Sequence, residues 1–339
     1  MGLQKKLLIL WRAIAPRKSD QIYFGDRIEQ YRQMWQDIAV DINADFKLID
    51  NDIWRLSKSG VSTQICQYQL SLDDPVVLEL AARKSAVHGL LSGEGISVPT
   101  HVLISPEDIA AGRAFLLRQP DGIVVKPNAG YGGKGVSTYI TSERRLKRAL
   151  LTASLYDRNI LLEEQIYGEC FRLLVFRGDM ISAVRRTGIR VIGDGRSQLS
   201  DLMDSMDHRT RNADLEFCLK KLDLKPESVL PENVEVLIRC AGGTWRDGSE
   251  LRTIYDQDVT EDVCPTIADQ ACAAARLIGS EFAGVDVITP DIGRPLDETG
   301  GVINEVNTTP ALHHHYDSTK QRYPRPARRI IEALLSIND

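Results

Sequence analysis

The stretch VVKPNAGYGGKGVSTYI, Val124 to Ile140, constrains the fold most, because its glycines lead into a strand pattern. Gly130, Gly132 and Gly135 spell G-x-G-x-x-G, the spacing of a dinucleotide-binding turn. Such a turn opens a helix within a βαβ unit, with an acid about 20 residues further on. Here Val136, Thr138 and Ile140 alternate with Ser137 and Tyr139, which is the period of a strand. The Walker pattern G-x-x-x-x-G-K-[ST] is absent as well. What remains is a glycine turn between two strands. Glycines there allow backbone N–H groups to approach a phosphate closely, and Lys126 and Lys134 supply positive charge. An ordinary hairpin carries the same pattern, so the loop alone leaves both readings open.

A second stretch narrows them: AGVDVITPDIGRPLDETGGVINEVNTTP reads as two strands joined by a loop. Residues i and i+2 of a strand share a face, so Glu305 and Asn307 project together, and the pairing can bring Asp286 alongside. Three oxygen donors suit Mg²⁺, which keeps its other positions for water and phosphate. The plain alternative is a solvated strand face. Val285, Val287, Ile303 and Val306 flank these polar groups with core residues and speak against it.

The rest of the chain fits a mixed α+β protein. FRGDMI suggests a hairpin turning at Gly178–Asp179, and NILLEEQI a strand. PVVLELAARKSAVHGLLSG reads as one helix, and SERRLKRALLTA as another, capped by Ser142 or Thr141. CPTIADQACAAARLIGS is a helix stopped by Gly279. GIRVIGDGRSQLSDLMDSM is expected to be a loop and then a helix, and residues 207–235 an irregular surface excursion. Tyr31, Met34 and Trp35 fall on one helical face, as a core stripe does.

At 339 residues the chain can bury two or three subdomains. Its net charge of -5 offers no general attraction for nucleic acid or anionic lipid, so any basic site is local. The six cysteines form no C-x-x-C pair, which points to reduced thiols in a cytoplasmic protein. KKLLILWRAIA imitates a signal peptide, but Arg12 ends its apolar run and a docked helix or strand is expected. No stretch reaches the roughly 18 apolar residues of a membrane span.

Taken in order, Lys-Pro after a strand, the glycine hairpin, LLEEQI, and Asp then Glu-x-Asn on late strands resemble the ATP-grasp carboxylate–amine ligases. FRLLVFRGDMISAVRRTGIRVIGDGRSQLSDLMD is similar to a run in the ATP-grasp part of cyanophycin synthetases, and NEVNTTPAL to one in the D-alanine–D-alanine ligases. The resemblance covers roughly residues 85 to 320. It implies two α+β lobes sandwiching ATP: 85–165 with the lid, and 166–339 with the metal site, after an N-terminal region 1–84.

Carried over by position, the resemblance implies phosphate contacts from Lys126 and Lys134 and a lid of Gly132, Gly133 and Gly135. Glu163, Glu164 and Ile166 match the adenine hinge, and Asp286, Glu305 and Asn307 match ligands of Mg²⁺ or Mn²⁺. Arg172 and Arg186 match arginines that stabilise the acyl phosphate or the tetrahedral intermediate. The usual ribose-binding acid falls at Cys170, with Glu169 beside it. Gly284 replaces an arginine of the D-alanine ligases, which argues against that substrate.

In the resembling ligases the loop that holds His313, His314 and His315 borders the acceptor amino acid, which implies that one of them binds or orients substrate; a surface loop or core contact is the alternative, and His313 and His315 are the candidates. HRTRN at 208–212 either holds an acidic substrate or is a solvated basic stretch. The expected activity is ATP-dependent, ADP-forming amide synthesis from a carboxylate and an amino-acid or peptide amine. A phosphotransferase on the same scaffold and a non-catalytic ATP-binding protein are the alternatives. No nucleic-acid or membrane partner is expected, and a homo-oligomer stays open.

Overall fold

A computed structural model describes residues 18–130, 133–186, 189–204, 213–239, 257–315 and 322–336. Gly132, the N-terminal KKLLILWRAIA and the HRTRN stretch lie outside them.

The described residues open with helix α1 (Lys18–Asp41) and a four-stranded antiparallel meander, β1 (Asp45–Asp50), β2 (Ile53–Lys58), β3 (Val61–Cys66) and β4 (Gln69–Leu70). Tyr31, Met34 and Trp35 are all buried, as their shared face requires. The single helix expected next is two, α2 (Pro75–Ala82) and α3 (Lys84–Gly93). Arg83 breaks it, with a non-helical φ of -97° and ψ of 88°, where it bridges to Ala129 beside the glycine loop.

The second layer is a four-stranded antiparallel sheet in the order β5-β8-β6-β7. It comprises β5 (His101–Ile104), β6 (Ile123–Pro127), β7 (Ser137–Ile140) and β8 (Ile160–Glu164), with α4 (Ile109–Leu117) and α5 (Glu143–Ala153) between them in sequence. Ser142 caps α5 by accepting from the Arg145 N–H. Ile123, Val125, Ile160 and Leu162 pack against α4 and α5. Strand period then turns Lys126 and Glu163 to the opposite face. The expected alternation of β7 breaks at Tyr139, which has a φ of 54° and is buried together with Ser137 and Ile140.

β9 (Glu169–Phe176) and β10 (Asp179–Arg186) form a hairpin that turns at Arg177–Gly178, one residue earlier than its glycine suggested, because Phe176 pairs with Asp179. The loop expected before the helix of this region is a strand, 189–192, and a helix at 213–221 lies within the excursion expected to be irregular at 207–235. β11 (Ile189–Ile192) pairs with β12 (Glu235–Arg239), and α6 (Leu199–Asp204) and α7 (Ala213–Lys221) join them. Val191, Leu199, Met203, Leu219, Leu230, Val236 and Ile238 make a separate core for this unit. These residues are scattered, so no short window shows their period.

The five-stranded antiparallel sheet has the order β13-β10-β9-β14-β15. After β13 (Gln257–Asp258) come α8 (Pro265–Ile278), β14 (Phe282–Thr289), the short α9 (Leu296–Thr299) and β15 (Val302–Thr308). α8 ends at Gly279, whose φ of 79° suits a glycine stop. A 3-10 turn, Leu312–His315, and α10 (Arg325–Leu335) finish the described chain. One face of this sheet buries Phe171, Leu173, Val175, Val285 and Val287 with α8, α2 and α3. The other face divides. Leu174, Phe176 and Phe282 lie under α1, the meander and α10, while its remaining half carries charge.

Candidate active site

The charged half-face arises from register. Arg172 of β9 stands opposite Asp286 of β14, and Asp286 opposite Glu305 of β15, so three ionisable side chains form one cross-strand row. One step along, Leu174, Gly284 and Asn307 form the next row. Arg172 grips Asp286 through both Nε and Nη2, the latter at 2.8 Å, with both side chains buried. Asn307 Nδ2 lies 3.3 Å from the Asp286 carboxylate. Gly284 makes the grip possible: a Cβ there would meet Arg172 Cδ at 3.0 Å and Pro310 Cβ at 2.8 Å. The glycine that replaces an arginine is thus the space in which Arg172 lies.

Lys84, for which the sequence suggested no role, completes the row. Its buried Nζ is 3.2 Å from Glu305 Oε1 and donates to the carbonyl of Gly130 at 3.0 Å. It sits in the first turn of α3, where Ser85 N–H donates to the Asn128 side chain at 2.9 Å. A lysine at the start of an amphipathic helix reads as solvated, and only its contact with the glycine loop reveals it. Burial opposes ionisation of Glu305, but the charges of Lys84 and then Lys126 and Arg172 outweigh it. They hold the carboxyl below its ordinary value.

Across from this row, Lys126 Nζ pairs with Glu163 Oε2 at 2.7 Å, both buried. His88 of α3 joins the layers: its Nε2 is 3.0 Å from the Asn304 carbonyl, and its Nδ1 is 3.6 Å from Glu163 Oε1. Burial, as the main cause, lowers the pKa of His88, and Nε2, which faces a carbonyl, carries the proton donated to it.

The other expected residues are placed unevenly. Glu164 accepts from the Thr100 N–H at 2.7 Å, so its carboxylate ties down the preceding loop. Ile166 is half-buried, and its carbonyl is 3.4 Å from the Gln165 side-chain amide. Glu169 faces Arg185 at 3.3 Å and also Arg190, two partners that the sequence did not suggest. Gly133 and Lys134 are both exposed in the glycine turn. Gly135 has a φ of 80°, and a Cβ there would come within 2.6 Å of the Tyr156 ring.

His313 Nδ1 is 2.6 Å from the Tyr31 hydroxyl of α1, and His315 Nδ1 is 2.8 Å from Ser182 Oγ of β10. The histidine turn therefore joins the N-terminal region to the charged sheet. Arg186 lies four residues beyond Ser182 on β10.

Asp286, Glu305 and Asn307 offer two carboxylates and a carboxamide. Among the described residues no three His, Cys, Asp or Glu side chains group as a metal cluster, and an all-oxygen set with an amide suits a hard divalent cation. Among the described residues no helix is long and apolar enough to cross a membrane.

No family model matches the chain. The cyanophycin synthetase of Trichormus variabilis is 28% identical over 277 residues, covering 77% of this chain and 30% of that protein. The glutathione biosynthesis bifunctional protein GshAB of Listeria innocua is 28% identical over 301 residues, covering 83% of this chain and 38% of that one. The chain thus spans about a third of the length of these relatives. The crystal structure of a bifunctional glutathione synthetase from Pasteurella multocida superposes with a TM-score of 0.55 and 17% identity. It covers 90% of this chain and 43% of that one, and the likeness shows the fold. The chain is thus similar in sequence to cyanophycin synthetase and GshAB proteins and shares the fold of the bifunctional glutathione synthetase.

Proposed function

We propose that the protein is an ATP-dependent, ADP-forming ligase that joins a carboxylate to the amine of an amino acid or small peptide. One observation carries the reading. Arg172, Asp286, Glu305 and Asn307 share a sheet face, and Lys84 ties Glu305 to the glycine turn, whose preceding strand holds Lys126. Both sequence relatives bear names of amide- or peptide-forming enzymes, cyanophycin synthetase and a glutathione biosynthesis protein.

ATP would lie between the two sheets, its phosphates met by Lys84, Lys126 and Lys134 and covered by Gly133 and Gly135. Glu163 and the backbone at Glu164 and Ile166 would hold the adenine. Asp286, Glu305 and Asn307 would hold Mg²⁺, or Mn²⁺, which supplies charge neutralisation to phosphoryl transfer. Arg172 and Arg186 would stabilise charge that builds on the transferred phosphoryl group and the acyl oxygen, where fixed guanidinium donors act most strongly. The glycine turn would exclude water that otherwise hydrolyses the acyl phosphate. Glu169 is a poor ribose acceptor while Arg185 and Arg190 face it.

The test is ADP release across a matrix of carboxylates and amines, with mass spectrometry of the products. Amide together with free phosphate is expected. A persistent phosphate ester or anhydride would make the protein a phosphotransferase. ATP binding without turnover of any pair would leave a binding protein.

A further inference from the structure

Helix α3 packs on β15 of one sheet and on β5 of the other, and two of its side chains reach across. Lys84 spans Glu305 and the Gly130 carbonyl. His88 lies one helical turn further along the same face. Its Nε2 donates at 3.0 Å to the carbonyl of Asn304, the residue before Glu305, and its Nδ1 lies 3.6 Å from Glu163 Oε1 on β8. The His101 ring, itself held by the Pro99 carbonyl at 2.9 Å, packs against His88 at 4.9 Å. His88 is 1% exposed and Glu163 2%. Neither Nδ1 nor Oε1 has a hydrogen-bond partner, and at 3.6 Å they are too far apart to bond each other. The plain reading is a core histidine satisfied by one carbonyl. The orphaned pair speaks against it, because burying unbonded polar atoms costs free energy that an apolar side chain at this position would not.

We propose that His88 is a positioning residue of the nucleotide cleft. It fixes the spacing between the Lys126–Glu163 pair on one sheet and the Glu305 strand on the other, so that one nucleotide meets both at once. This rests on the ligase reading above and deepens it. No strand pairing sets that spacing, since β6 and β8 belong to one sheet and β14 and β15 to the other. Lys84 cannot set it, because an ammonium on a flexible four-carbon stem follows its partners and does not hold them apart. The imidazole of His88 is a rigid ring, tied to the backbone beside Glu305 and pressed on the carboxylate whose other oxygen takes Lys126 at 2.7 Å. It touches neither nucleotide nor cation and acts through Glu163 and Asn304.

Calorimetric titration of the 339-residue chain with ADP, with and without Mg²⁺, tests this without any turnover. The unaltered protein should bind ADP more tightly when Mg²⁺ is present, because the cation ties the phosphates to the second sheet. His88→Leu should leave the metal-free affinity within about twofold and cut the Mg²⁺ enhancement by about tenfold, the scale of one lost hydrogen bond. In His88→Gln the side-chain amide can still donate to the Asn304 carbonyl, and most of the enhancement should return. His88→Asn is too short to reach that carbonyl and should behave like His88→Leu. If the leucine variant does not fold, the glutamine and asparagine variants carry the comparison by themselves. Unchanged enhancement in every folded variant, with only the denaturation midpoint lowered, would make His88 a core residue and overturn the proposal. An equal loss of ADP affinity with and without Mg²⁺ would confine its effect to one sheet and overturn it too. Failure of the unaltered protein to bind ADP refutes the nucleotide reading and the spacing role with it. ADP binding that Mg²⁺ does not strengthen refutes the metal set, and the spacing role again falls.

Discussion

The two faces of the five-stranded sheet are made by the same strands and obey opposite rules. Toward α8, the residues of β9 and β14 are Phe171, Leu173, Val175, Val285 and Val287, all buried and apolar. One residue out of phase, Arg172 and Asp286 are buried too. The apolar face gains by removing hydrocarbon from water and needs no specific partner. The charged face persists only because each charge finds another across the strand, since an unpaired buried ion costs several kcal/mol. Register is therefore worth more on the charged face: a one-residue slip would put Arg172 against α8 and Leu173 in the site.

Exchanging the rules should give the largest effect. Leu173→Asp places a carboxylate where no cation faces it, and we expect loss of more than about 4 kcal/mol, or no folded protein, by chemical denaturation. Arg172→Leu comes next. It strands the Asp286 carboxylate, and about 3 kcal/mol should be lost. Arg172→Leu combined with Asp286→Leu should recover most of that, because replacing both partners removes the desolvated charge. If the double variant is no more stable than the single one, Arg172 and Asp286 do not act as a pair.

That contrast also explains what was legible in the sequence. The Asp286, Glu305 and Asn307 triplet was readable because acids among Val285, Val287, Ile303 and Val306 violate strand patterning, and a violation is a signal. What covers Leu174, Phe176 and Phe282 was not legible, since α1 and the meander arrive from the far end of the chain. Lys84 and Ser182 left no signal at all. Each looks ordinary in its own window, and each matters only through a partner far away in sequence, Gly130 or Glu305 for one and His315 for the other. The unit at 189–239 escaped for the same reason: its core is assembled from residues on four elements and a loop.

Glu305 lies at the border of the two rules, with 24% of its side chain exposed, so its loss should spare the fold. Glu305→Gln keeps the shape and removes the charge. Stability at neutral pH should change by about 1 kcal/mol or less, because water reaches the site and Lys84 keeps its bond to Gly130. ADP formation should fall by about 100-fold or more, as when a charge needed in the transition state is removed. Normal turnover in this variant would sink the assignment of Glu305 to the metal set. The pH dependence has a definite sign. The folded-state pKa of Glu305 lies below its ordinary value of 4.5, so its contribution is complete above that value. It is lost as pH falls through the folded pKa. Denaturation midpoints should therefore fall less steeply with acid in Glu305→Gln than in the unaltered protein.

The smallest effect marks the outer limit of the comparison. Arg294 and Glu298 form an ion pair at 3.0 Å, nearly the distance of the buried pairs, but their side chains are 59% and 53% exposed. Water already solvates both groups, so removing one leaves no desolvated charge behind, and salt screens what attraction remains. Arg294→Ala should shift stability by no more than about 0.5 kcal/mol. High salt should erase that shift while leaving the penalty of Arg172→Leu intact. Two pairs at similar distance would then differ severalfold in their cost of rupture, and burial together with the second hydrogen bond of Arg172 would account for the difference. A loss at Arg294 as large as that at Arg172 would mean that distance sets these energies and burial does not, and the two faces of the sheet would then obey one rule.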